Sequence, residues 1–281
     1  MRAKYAAVLL ALLLGSYAIS AQGSIRDVDF QNFTYEVEFC RNELTDKITV
    51  TNGNFSEEKE VDGYTERRYF EVYGEVFGDL TGDGAEEAVV LSICNTGGTG
   101  NFSEAYIFSM SEGEPVLRLT IEGGDRAYGG LREARIEKGI LIIESNDPGE
   151  FGANCCAEVA VTRRYRLKGD SLEETAPPER RDLYPAERVE FDKGSYSKEI
   201  QIELGEDPGI KRFVISASKG QRLTVNSPSD KVRFRLVKGE AEMEEENKTL
   251  VADLQEDGDF IFEVRNFSES ELSTSITVSV R

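Results

Sequence analysis

The sequence predicts a mainly β protein of two domains, an antiparallel-sheet domain followed by an antiparallel β-sandwich. Three observations carry that expectation. Short runs rich in β-branched and aromatic residues recur through the chain, bounded by Gly and Asn clusters. No window of helical length carries an i, i+3, i+4, i+7 apolar stripe with caps, so any helix is expected to be short. Residues 171–187, within KGDSLEETAPPERRDLYPAE, hold Pro177, Pro178 and Pro185 and many charges without a sustained apolar period. They read as a linker between a domain at 23–170 and another at 188–281.

In the first domain the strand candidates are ITV (48–50), RYFEVYGEVF (68–77), EEAVVLSI (86–93), AYIFSM (105–110), VLRLTI (116–121), ILIIES (140–145) and EVAVTRRYRL (158–167). In the second they are KEIQIEL (198–204), KRFVISA (211–217), QRLTVNS (221–227), KVRFRLVK (231–238), TLVADL (249–254), DFIFEVRN (259–266) and STSITVSVR (273–281). These alternate apolar with polar residues and return about every ten positions, the pattern of a sandwich with one solvated face per sheet. Within KVRFRLVK, Val232, Phe234 and Leu236 are expected on one face and Lys231, Arg233 and Arg235 on the other, as a solvated cationic stripe.

At the N-terminus Arg2 and Lys4 precede an apolar stretch, Ala6–Leu14, and then small residues at Ala18, Ser20 and Ala21. Residues 1–22 read as a signal peptide, and the chain as periplasmic or secreted. No later segment approaches the ~20 apolar residues of a membrane helix. The net charge of -20 disfavours nucleic acid and anionic lipid as partners and favours metal ions or basic proteins. Most of that charge belongs to residues 24–187, with 34 acidic against 17 basic side chains. There is no His, which removes Ser/His and Cys/His nucleophilic pairs and His-assisted zinc sites together. Cys40, Cys94, Cys155 and Cys156 are disulfide candidates in an exported chain. Chain neighbours do not easily reach disulfide geometry, so Cys155 and Cys156 are each expected to pair with Cys40 or Cys94. A redox or soft-metal thiol pair is the functional rival.

The stretch GDLTGDGAEEAVV (78–90) alternates oxygen donors in a way that suits calcium, which takes six to eight hard oxygens. Asp79, Thr81 and Asp83 can share a centre, the Ala85 carbonyl supplies a backbone oxygen, and Glu87 can close the cage. An EF-hand is excluded, since Val90 occupies position twelve and a strand follows. The rival is an acidic Gly/Asp turn without metal. Asp125 and Arg126 are expected either as an internal ion pair or N-cap, or as the lining of a cleft shared with this loop. The polar, glycine-rich blocks of this domain hint at a common surface.

The loop resembles the strand-flanked FG-GAP and integrin-type calcium loops, with Asp79, Asp83, Gly84 and Glu87 meeting the pattern and Thr81 departing from it. Together with NTGGTGNF (95–102), GGDRAYGG (123–130), SNDPGEFGANCCAE (145–158) and TRRYRL (162–167), it resembles a bacterial exported-protein family of uncharacterised function. The second domain is similar to the jelly-roll-like module of prepeptidase C-terminal domains and periplasmic inhibitors of g-type lysozyme, through Gly220–Gln221 and EDGDFIFEV (256–264). Glu256, Asp257 and Phe260 depart from that pattern. The resemblance implies a jelly-roll-like sandwich and, as one option, a basic lysozyme as partner.

The functional expectation is therefore an exported, non-catalytic binding protein, calcium-stabilised, contacting an envelope or extracellular protein or glycan. A periplasmic lysozyme inhibitor is one alternative and a carboxylate glycan hydrolase another. For the hydrolase, Glu86 and Glu87 are adjacent on a strand and point apart, and no Trp is present to stack on sugars.

Overall fold

A continuous apolar run such as EAVVLSIC requires apolar partners on both sides, and the fold supplies them. The computed structural model describes residues 23–41, 45–61, 63–206, 209–246 and 249–281, so the expected signal peptide lies outside the described residues. Two single-turn 3-10 helices, Ile25–Asp27 and Phe30–Asn32, open the described chain. They lead into a short hairpin of β1 (Thr34–Glu36) and β2 (Lys47–Thr49). A five-stranded antiparallel meander follows: β3 (Asn54–Val61), β4 (Tyr64–Gly78), β5 (Glu87–Asn95), β6 (Phe102–Ser111) and β7 (Glu114–Asp125).

Alternation sorts the meander's side chains between two cores. Ala88, Val90, Cys94, Tyr106 and Phe108 point to one side, where the N-terminal segment lays Ile25, Phe30, Tyr35, Ile48 and Val50 over them. Val89, Leu91, Ala105 and Ile107 point to the other, against a second sheet. That sheet consists of β8 (Leu131–Glu137), β9 (Ile140–Asp147), β10 (Val159–Lys168), β11 (Ser171–Glu174) and β12 (Glu179–Asp182), and contributes Ala134, Leu141, Ile143 and Leu167. The Cys40–Cys94 disulfide pins the N-terminal cover to β5 across a sequence separation of 54. Chain entropy alone gives such a closure roughly 4 kcal/mol.

Residues 171–187 are pleated into strands where the sequence suggested a linker. Both β11 and β12 pair with β10, as Lys168 with Ser171 and Val159 with Asp182. They cover an edge that would otherwise expose unpaired backbone groups. Pro177 and Pro178 fall between the two strands and Pro185 just beyond the second, where no ladder hydrogen bond is needed. Arg180 on Asp147 (2.8 Å) and Arg181 on Glu144 (3.0 Å) hold this segment to β9.

The chain continues into β13 (Ala186–Arg188), β14 (Ser197–Leu204), β15 (Ile210–Ala217), β16 (Arg222–Asn226), β17 (Val232–Lys238), β18 (Ala241–Glu246), β19 (Thr249–Leu254), β20 (Gly258–Asn266) and β21 (Leu272–Val280). Sheets β13-β15-β20-β17 and β14-β21-β16-β19-β18 enclose a core of Phe213, Phe260, Phe262, Leu223, Val225, Ile276 and Val278. The pairing is antiparallel except between β13 and β15, which are parallel.

Arg212 joins the two halves. Its guanidinium donates to Glu158 of the first half at 2.5 Å and to Glu263 of the sandwich at 2.9 and 3.0 Å, and it lies 5.5 Å from the Tyr184 ring centroid. Glu263, on the central strand β20, is fully buried and is flanked in register by Arg212 on β15 and Arg235 on β17. Arg265 also donates to it. Arg235 lies 3.5 Å from Glu263, so part of the expected cationic stripe is drawn into an ion-pair network. Burial pushes the Glu263 carboxyl up, but hydrogen bonds from Arg265 and Arg212 outweigh that and hold it below the usual carboxylate range.

Glu263 is therefore a source of acid lability with a definite sign. Because its folded value is depressed, its contribution is complete above the unfolded value of about 4.3 and is lost as pH falls through the folded value. Glu263→Gln is expected to lower the unfolding free energy by about 3–5 kcal/mol at neutral pH, since it leaves buried arginine charge uncompensated. The same variant should lose stability less steeply than the parent below pH ~4. Urea titrations across pH measure both effects.

Candidate functional site

The 79–87 loop folds as a turn organised by its own carboxylates. Asp79 accepts the N–H groups of Gly82 (2.6 Å) and Gly84 (3.0 Å), and Asp83 accepts that of Ala85 (2.8 Å). Gly82 and Gly84 adopt φ of 80° and 91°, where a side chain is disfavoured. Glu87, expected to close the cage, turns into the core instead. Its Oε2 accepts the Leu80 N–H (2.8 Å) and its Oε1 the Ser109 hydroxyl (3.3 Å). Burial pushes its carboxyl up, only partly offset by those bonds. As placed, these carboxylates are engaged within the chain: Asp79 and Asp83 by N–H groups of the turn, and Glu87 by Leu80 and Ser109, so a cage would have to displace those bonds. Among the described residues no group of three or more carboxylates or thiols is gathered as a metal site. Glu86 and Glu87 do separate, Glu86 pairing at the surface with Arg26.

The cysteines pair differently from the expectation that Cys155 and Cys156 would each reach Cys40 or Cys94. Cys40 bonds to Cys94, and Cys155 bonds to its neighbour Cys156. The physical reason is placement. Cys94 lies inside the meander beneath the N-terminal cover, whereas Cys155 and Cys156 sit exposed on the loop between β9 and β10.

Three polar blocks of the sequence converge at the end of β5 opposite the 79–87 loop, and Asp125 is their hub. Its Oδ1 accepts the Asn101 N–H (2.7 Å) and its Oδ2 the Asn154 side-chain amide (3.0 Å), while Arg126 pairs with it at 3.2 Å. Burial pushes the Asp125 carboxyl up, but these donors outweigh it and leave it below the usual range. Asn146 bonds the same turn twice more, donating its side chain to the Arg126 carbonyl (2.9 Å) and accepting at its own carbonyl the Gly129 N–H (3.0 Å). Arg126 is held at φ 44°, a conformation that costs a non-glycine residue about 1–3 kcal/mol. The expected Asp125–Arg126 ion pair is present, but the surface they share belongs to the 95–101 and 145–154 segments.

This crown presents Tyr128, 57% exposed, at its tip. Beside it runs a cleft of 220 Å³ whose lining includes Glu122, Gly124, Tyr128, Ser145, Arg163 and Tyr165. Arg163 is held at long range, 3.4 Å from Ser145 Oγ and 3.8 Å from Glu174. Volumes of ~300–1,000 Å³ enclose whole small molecules, so a smaller cleft suits one protruding group of a larger partner. Sequence reasoning singled out the blocks but missed Tyr128, Asn146, Asn154, Arg163 and Tyr165. Only long-range folding brings these together.

Elsewhere the buried carboxylates are committed to internal partners. Glu104 accepts the Glu38 N–H (3.1 Å) and the Tyr106 hydroxyl (2.7 Å), and Glu144 accepts Arg132 (2.7 Å) and Arg181 (3.0 Å). Glu158 and Glu263 are bound by Arg212.

The crown depends on backbone proximity that a side chain would prevent. A Cβ on Gly124 would lie 1.6 Å from the Tyr128 carbonyl oxygen, whereas one on Gly98, in the neighbouring loop, meets nothing within 4 Å. Gly124→Ala is expected to destabilise by about 3 kcal/mol or more. Gly98→Ala should stay within ~0.5 kcal/mol of the parent. Paired urea midpoints distinguish the two.

No family model and no curated protein matches the chain. Solved structures similar to part of it include PliG, a periplasmic lysozyme inhibitor of g-type lysozyme, from Aeromonas hydrophila, at 18% identity and a TM-score of 0.30. They also include PliG from Salmonella Typhimurium (19%, TM-score 0.28) and a PliG mutant from Escherichia coli (15%, TM-score 0.28). Each match covers 34% of this chain and 96% of the other. At this level of likeness no residue and no activity is assigned.

Proposed function

We propose that the protein is an exported, non-catalytic binding protein that contacts an envelope protein or glycan through the Asp125 crown and its cleft. The observation carrying this reading is the convergence of three loops on Asp125, which fixes an exposed tyrosine beside a cleft lined by an arginine. Tyrosine supplies a rigid apolar face with a polar tip, and arginine a planar fork for carboxylate or saccharide oxygens. The internal commitment of the buried carboxylates supports a binding role over an acid/base pair. So does the absence of His from the sequence. The signal-like N-terminus supports export, and no helix among the described residues is long and apolar enough to cross a membrane.

Calorimetric titration of the full chain with solubilised peptidoglycan fragments and with purified envelope proteins tests the proposal. Binding is expected for one of these classes, and Tyr128→Ala with Arg163→Ala should weaken it about tenfold or more, as loss of anchor residues does. Unchanged affinity in that double variant would remove the crown from the reading. Lysozyme inhibition is the narrower version. It rests on the sequence resemblance at Gly220–Gln221 and 256–264, segments whose leading turns meet where Asp257 accepts the Lys219 N–H at 2.8 Å. Failure to inhibit several lysozyme classes at large molar excess sinks this version alone.

Calcium at Asp79, Thr81, Asp83, the Ala85 carbonyl and Glu87 is the separable part of the proposal and concerns stability only. The ion would take Glu87 only if that side chain gave up Leu80 and Ser109. Melting scans in ~1 mM calcium, the range of weak extracellular sites, against chelator decide the matter. A stabilisation abolished by Asp83→Ala supports calcium, and coincident curves leave the loop as a self-capped turn.

A further inference from the structure

The two disulfides differ in exposure and in the length of chain they close. Cys40 and Cys94 are buried at 0% and 1% exposure, whereas Cys155 and Cys156 face solvent. Stabilisation by a disulfide grows with the chain length it encloses, and here the sequence separations are 54 and 1. The adjacent pair thus removes almost no freedom from the unfolded chain. Access to an attacking thiolate sets its rate of exchange, and only this pair offers it.

The loop carrying the pair is also wired to the crown. Cys156 N–H donates to the Ala153 carbonyl at 2.9 Å, closing a turn over Asn154 and Cys155. Asn154, next to Cys155, holds the crown at two points: its side chain donates to Asp125 at 3.0 Å, and its carbonyl accepts the Ala127 N–H at 3.3 Å. The Asn154 backbone that carries both bonds is thus joined directly to the ring.

We propose that Cys155–Cys156 is a thiol–disulfide exchange site that reacts with an external dithiol, and that its reduction releases Asn154 from the Asp125 turn. One thiolate of the dithiol attacks a sulfur of the pair, forming a mixed disulfide and freeing the other cysteine, which takes up a proton. The second thiol of the dithiol then attacks the mixed disulfide. It closes the reductant's own disulfide and leaves both cysteines as thiols, two electrons having passed to the protein. Reoxidation runs the same steps backwards. The exchange is independent of the proposed binding role, and only its effect on affinity rests on that reading.

The test is a titration of the folded full chain with dithiothreitol, followed by maleimide labelling and peptide mapping, with hydrogen exchange at the Ala127 amide as the second readout. Labels are expected on Cys155 and Cys156 at a reductant concentration about tenfold or more below that needed for Cys40 and Cys94. Exchange at Ala127 should accelerate about fivefold or more, as local opening does, and return on reoxidation. The double variant Cys155→Ser with Cys156→Ser should show the fast exchange without reductant. Labelling of all four cysteines together overturns the proposal, and so does an Ala127 rate indifferent to the state of the pair. Neither result bears on whether the crown binds a partner.

Discussion

Arg212 is the interaction on which the arrangement of the two halves depends. A guanidinium placed where water is excluded needs several acceptors in good geometry, and Glu158 and Glu263 provide them from opposite sides. Glu263 in turn would be untenable on a central strand without Arg212, Arg235 and Arg265 around it. Cross-strand register sets these partners opposite one another, so the fold of the sandwich prepares the acceptor that holds the other half. The connector adds to the same junction. Strands β12 and β13 pair with one half and then the other within a few residues.

Glu158 is also the point where the junction meets the crown. It follows the 148–157 loop directly, and its own N–H donates to the Asp147 carbonyl at the start of that loop. The loop is thereby fixed at its root by Arg212 and near its tip by Asp125. Two charged anchors of opposite sign hold one irregular segment whose backbone lies outside the ladders. A loop with so little regular structure is held where its polar atoms find fixed partners.

Much of the fold was legible in the sequence, because buried strands reveal themselves by composition. The runs at 86–93 and 105–110 mark β5 and β6, and those at 211–217 and 259–266 mark β15 and β20. The strands the sequence concealed are exposed or short: β3 and β18 are largely charged, and β8, β11 and β12 bury little, so no alternation marks them. The linker reading failed for the same reason, since edge strands that cover another strand need no apolar face. Glu87 escaped the sequence reading because spacing constrains which residues can converge but not whether a core hydroxyl such as Ser109 competes for the same carboxylate. The cysteine pairing was equally hidden, being decided by which strand comes to lie beneath which cover.

The buried carboxylates show why the chemistry of this chain moves to its surface. Glu87 and Glu104 meet backbone N–H groups and hydroxyls, and burial leaves their carboxyls raised; Glu144 and Glu263 meet arginines and are lowered. The two sets link stability to pH with opposite sign: a raised carboxyl weakens the fold as pH climbs toward its folded value, and a lowered one as pH falls toward its own. In both sets the carboxylate oxygens are already engaged by internal donors. At the crown the glycine backbone brings Asp125 within reach of the neighbouring loops. There the hub carboxylate is consumed in holding the turn that presents Tyr128, and Arg163 lines the cleft beside it.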